Sequence, residues 1–93
     1  MEIKNSQIEP WVARFLIEYE ELLERSIKLD NMLANWDNLN FEPKCSFELL
    51  EQQSMVMHQY LKILEWRAKI EDINEIYVIQ RKYISGLTRT SVK

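Results

Sequence analysis

One cysteine, one histidine and a few paired carboxylates are the side chains in this sequence with the means for covalent or metal chemistry. Cys45 stands within FEPKCSFELLEQQ, residues 41–53, at a position where a helix N-terminus would favour a reactive thiolate. His58 lies 13 residues further along the same predicted helix, roughly 20 Å away at 1.5 Å per residue. Cys45 therefore has no local base, and this stretch reads as a corner between helices. Glu20 with Glu21, or Glu48 with Glu51, would pair carboxylates for acid–base work, but charged helix surfaces produce such pairs routinely. A single glycine excludes a glycine-rich phosphate loop, and neither HExxH nor CxxC occurs. A di-metal bundle site needs Glu-x-x-His, whereas Met55 stands three residues before His58. The expectation is a non-enzymatic protein with no catalytic residue, no metal and no cofactor.

A second constellation fits binding. Arg67 suits a phosphate, Tyr19, Tyr60 or Trp66 suits stacking on a base, and Gln53 and Ser54 suit polar edges. Tyr60 and Arg67 are seven residues apart, two turns along one side of a helix. Polar groups this close to an apolar seam have another use: Ser26, Gln53, Ser54 and Arg67 would need partners inside it, and such pairs fix register.

The elements that would position these residues are helices. Hydrophobic residues at 46%, charged residues at 29%, one glycine and two prolines place the 93 residues with small helical domains. From Pro10 to Trp36 the apolar positions Val12, Phe15, Tyr19, Leu22, Leu29, Leu33 and Trp36 form a heptad seam interrupted at Ser26. Pro10 suits the first turn. NWDNLNFEPK ends that helix, because Pro43 forbids its continuation and the hydrophobic period is lost. Cys45 or Ser46 caps a second helix, in which Leu49, Leu50, Val56, Met57, Tyr60, Leu61, Ile63, Leu64, Ala68 and Ile70 continue at 3–4 spacing.

The expected organisation is an extension over 1–9 and a hairpin over 10–73, with helices at about 10–36 and 46–73. A short third helix over 74–86 and a flexible basic tail over 87–93 follow. The fold class is all-α, an antiparallel hairpin plus a short C-terminal helix. Trp11, Met55 and Trp66 fall at or outside the hairpin seams. They are expected to form the interface of a homo-oligomeric helical bundle, unless the third helix covers them.

Charge is uneven. Residues 1–80 hold all 15 acids and eight of the 12 bases, a net −7, and residues 81–93 carry four bases and no acid. An acidic body argues against duplex nucleic acid as a partner. No apolar run approaches a membrane span, and the polar MEIKNSQIEP does not read as a signal peptide, so a cytoplasmic protein is expected.

The run WVARFLIEYEELLERSIKLDNML, followed after a loop by FEPKCSFELLEQQSMVMHQYLKILEWRAKIEDI, resembles small helical-hairpin proteins common in crAss-like and other tailed bacteriophages. Arg14, Glu18, Tyr19, Glu21, Leu22, Glu24 and Arg25 match the first-helix motif of that family. Leu49, Leu50, Gln53, Met57, Tyr60, Leu61, Ile63, Leu64, Arg67 and Ala68 match the second. The layout is similar to anti-defence sponges that trap nucleotide messengers of CBASS or Thoeris immunity without cleaving them. The resemblance implies a ligand of cyclic-oligonucleotide or ADP-ribose type, held by Arg14, Tyr19, Gln53, Ser54, Tyr60 and Arg67 in the cytoplasm of an infected bacterium. The alternative is a helical interaction protein that blocks a host or phage protein, or an accessory structural protein of the phage.

Overall fold

A computed structural model describes residues 8–83. Most of the expected extension, the expected end of the third helix and the basic tail lie outside the described residues. The described chain is all-helical, with no strand. Helix α1 spans Pro10–Ala34, a 3₁₀ turn follows at Trp36–Asn38, and α2 spans Phe47–Ile70. A third helix, α3, begins at residue 76 and is still helical at 83, the last described residue.

The ends of the helices follow from local chemistry. Pro10 opens α1, where its missing N–H has no intrahelical acceptor to lose. Asn35 ends that helix: its backbone N–H reaches the Asn31 and Met32 carbonyls, and its side-chain amide donates to Asn31 O at 2.8 Å. Trp36 accordingly enters the 3₁₀ turn instead of extending α1, and its ring meets Phe47 edge to face at 5.3 Å. Ser46, rather than Cys45, caps α2, its Oγ accepting from Leu49 N–H at 3.1 Å.

At the other end α2 stops at Ile70, short of residue 73, in a Schellman motif. Ile73 N–H donates to Ala68 O at 2.8 Å, Asp72 N–H donates to Lys69 O at 3.3 Å, and Asp72 takes φ 60°. Ile73 and Ala68 are both buried, the apolar contact that accompanies this motif. The reversal aims α3 back onto the hairpin.

The core is one cluster drawn from all three helices: Phe15 and Tyr19 of α1, Leu61, Leu64 and Ala68 of α2, Ile73, and Ile76 of α3. Ile79 packs against it with Val12, Leu16, Leu22 and Leu23 of α1. Side-chain pairing fixes an antiparallel register, since Tyr19 meets Glu65, Ser26 meets His58 and Asp30 meets Ser54. No described helix is long and apolar enough to cross a membrane.

The apolar residues of α2 divide between two faces. Leu61, Leu64 and Ala68 are buried, and Leu50 and Met57 are half-buried. Leu49, Val56, Ile63 and Ile70, read above as part of one continuous seam, are exposed. A straight helix presents only one stripe to a single neighbour, so the second stripe has no place in the hairpin. Nor does the described part of α3 cover Met55, Trp66 or Trp11. It lies on α1, where Gln80, Lys82 and Tyr83 make their contacts, and those three residues remain exposed.

Candidate functional site

Two polar regions flank the hairpin core. The first is a ladder between α1 and α2, made by two i,i+4 pairs: Ser26 and Asp30 on α1, Ser54 and His58 on α2. Antiparallel packing crosses them. Ser54 Oγ donates to Asp30 Oδ1 at 2.5 Å, and His58 Nε2 lies 2.7 Å from Asp30 Oδ2 and 3.5 Å from Ser26 Oγ. The ladder borders a cleft of about 260 Å³ shared with Leu23, Ile27, Leu61, Lys62, Glu65 and Tyr83.

Serine, histidine and aspartate so close together invite comparison with a catalytic relay, and the atoms rule that out. Nε2 is the ring nitrogen that approaches both Asp30 and Ser26. A relay needs aspartate on one ring nitrogen and the serine hydroxyl donating to the other. Here both contacts fall on Nε2, so the relay arrangement is not made. The ladder holds the helices in register. Among the described residues no group of three or more His, Cys, Asp or Glu is placed to hold a metal ion, and Cys45 is an exposed free thiol.

Tyr19 belongs to the same structural system. Its ring is 1% exposed, its hydroxyl donates to Glu65 Oε2 at 2.7 Å, and it accepts from Gln80 Nε2 at 3.2 Å. Burial pushes the phenol well above its ordinary pKa; the Gln80 amide partly offsets this and the Glu65 carboxylate adds to it. One hydroxyl thus ties α1, α2 and α3 together. Within a single chain Tyr19 offers no face to a ligand, and Ser54 is likewise buried with its hydroxyl engaged by Asp30.

The other four residues expected to bind lie on the opposite, open side. Gln53, Tyr60 and Arg67 are exposed and spaced by seven, so they form one line along α2. Across from Tyr60, Arg14 of α1 helps to line a groove of about 330 Å³ with Ile17, Glu18, Glu21, Leu22 and Arg25. Tyr60 is 40% exposed, with its hydroxyl donating to Glu18, so the ring is oriented while part of it stays accessible. The Arg67 guanidinium carbon sits 5.0 Å from the centre of the Phe15 ring, a cation–π contact that leaves its N–H groups available. Arg25 lies 4.0 Å from Glu21, and Arg14 has no ion pair among the described residues.

The groove therefore offers an aromatic ring, a guanidinium without an ion pair among the described residues, and apolar lining from Ile17 and Leu22, opposed by the carboxylates of Glu18 and Glu21. An anion placed there would meet Arg14 first. Sequence reasoning missed Asp30, His58, Glu65 and Gln80, the partners that bury the polar seam. The i,i+4 repetition of Ser26–Asp30 and Ser54–His58 was the available signal for two of them.

No curated protein and no solved structure matches this chain. The family model described as Sequestin matches residues 9–70, from the residue before α1 to the last residue of α2. The match takes in both long helices and their connection, the greater part of the chain, and so the chain belongs to the Sequestin family.

Proposed function

We propose that this protein binds a nucleotide messenger of host immunity, a cyclic oligonucleotide or an ADP-ribose derivative, and holds it without cleaving it. The family name denotes sequestration, and the hairpin motifs resemble phage proteins laid out like messenger sponges. The observation that carries the reading is the groove lined by both Tyr60 and Arg14, with Gln53 and Arg67 exposed seven residues to either side of Tyr60 along α2. Tyr60 stacks on a base, Arg14 and Arg67 take phosphate oxygens, and Gln53 reads a polar edge. The setting is the cytoplasm of a phage-infected bacterium.

Thermal unfolding against a panel of cyclic dinucleotides, cyclic trinucleotides and ADP-ribose derivatives tests this. A ligand that binds only the native chain raises stability by about 2.7 kcal/mol at a hundred times its Kd. One messenger shifts the transition, the shift is lost in Arg14→Ala and in Tyr60→Ala, and the ligand is recovered chemically unchanged. A flat panel, or a cleaved ligand, overturns the reading. The exposed apolar side of α2 favours a second reading, an interaction protein, in which Trp66→Ala abolishes binding to a protein target while nucleotides have no effect.

A further inference from the structure

We infer that Glu18 is a positioning residue of the groove: by accepting the Tyr60 hydroxyl it sets that ring and, through the same bond, is kept from pairing with Arg14, whose guanidinium is then available to an anion. The inference deepens the reading above and rests on the groove being the binding site. It starts from charge spacing on α1. Three pairs of opposite charge stand four residues apart on that helix: Arg14 with Glu18, Glu21 with Arg25, and Glu24 with Lys28. Side chains at this spacing are neighbours on a helix surface and pair readily. Two of the three pairs are made, Arg25 to Glu21 at 4.0 Å and Lys28 to Glu24 at 3.4 Å. The third is not, and Glu18 is engaged across the hairpin by Tyr60 of α2 instead.

Order along the chain makes this diversion easy. An acid ahead of its base, as in the two pairs that form, suits the helix dipole. Arg14 precedes Glu18, so theirs is the weaker pairing, and one phenolic hydrogen bond is enough to compete with it. Glu21, the other carboxylate lining the groove, stands with Arg25. Arg14 and Glu18 are both exposed, so burial locks neither side chain, and the partner that Glu18 takes decides the state of Arg14. A tyrosine that only stacked on a base would need no hydroxyl. Here the hydroxyl sets the charge pattern of the groove, and Glu18 acts on an anion through Tyr60 and Arg14.

Side-chain NMR of the full chain at low ionic strength, with inorganic pyrophosphate as the probe, tests the inference. Each variant keeps helical circular dichroism, because Glu18 and Tyr60 lie outside the buried core. With no anion present, Tyr60→Phe keeps the ring and releases Glu18, so the Arg14 Nε–H signal shifts and exchanges more slowly with solvent as the ion pair forms. Adding Glu18→Gln to that variant reverses both changes. Pyrophosphate perturbs the Arg14 signal of the wild type and binds roughly tenfold more weakly to Tyr60→Phe, the loss of one charge-assisted contact. Glu18→Gln alone binds it more tightly, since the groove loses a negative charge, and in that background Tyr60→Phe costs less than about twofold. An Arg14 signal indifferent to Tyr60→Phe, or to pyrophosphate, overturns the inference. So does an equal loss from Tyr60→Phe in both backgrounds, which would put the hydroxyl on the anion itself. No messenger enters these measurements: if the messenger panel is flat while Arg14 responds as stated, the messenger reading fails and the role of Glu18 stands.

Discussion

At the scale of single residues, the two tyrosines at the hairpin seam have opposite fates. Tyr19 is buried, and its hydroxyl is the shared partner of Glu65 and Gln80. Tyr19→Phe removes both bonds while keeping the ring, so it should lower unfolding free energy by about 1–2 kcal/mol in urea titrations. Tyr60 is partly open to solvent, so Tyr60→Phe should cost little stability, and Tyr60→Ala should act on ligand binding. If the two variants showed the reverse pattern, the assignment of core and groove would be mistaken. Ser54→Ala leaves Asp30 Oδ1 without its donor and should destabilise by about 1 kcal/mol, with no change in the ligand response.

At the scale of elements, α3 depends on a turn and on a charge cluster. Asp72 occupies the left-handed position of the Schellman motif, where glycine has no Cβ to clash. Asp72→Gly should therefore raise stability by about 1 kcal/mol, read as a higher urea midpoint at unchanged slope. Beyond the turn, Glu20 accepts from Lys82 Nζ at 2.8 Å and Tyr83 Oη at 3.0 Å. The Lys82 ammonium, and after it the Tyr83 hydroxyl, hold the Glu20 carboxyl below its ordinary pKa. Its contribution is present above the usual carboxylate range and is lost as pH falls through the depressed value. Lys82 is shifted upward by Glu20, and Tyr83 upward by burial and then by Glu20. Both contributions are present at neutral pH and are lost as pH rises through the elevated values. Unfolding free energy from urea titrations should therefore fall toward both pH extremes, and Glu20→Gln should flatten the acid limb.

At the scale of the whole molecule, a single small core serves three helices. Leu64 is wholly buried at its centre, so Leu64→Ala should cost about 2–5 kcal/mol, a large share of the stability of so small a domain. Circular dichroism and tryptophan fluorescence should report the same transition, because no helix has a core of its own. A helix that melted separately would contradict the shared cluster.

The sequence by itself determined the helices and most of their punctuation. Pro10, the Asn- and Asp-rich stretch before Pro43, and the apolar spacing act within a turn or two of chain, where physics is local. It also marked Ser26 as a polar interruption needing a partner. Only the tertiary structure decided which of the two apolar stripes of α2 meets α1, because Leu50, Leu61 and Leu64 are no more hydrophobic as a set than Leu49, Ile63 and Ile70. The same packing sent Tyr19 and Ser54 inward to Glu65 and Asp30 while leaving Tyr60 in one groove with Arg14, and Gln53 and Arg67 exposed. Rotation of a helix about its own axis is set by its neighbours, and a list of spacings along one helix does not contain them.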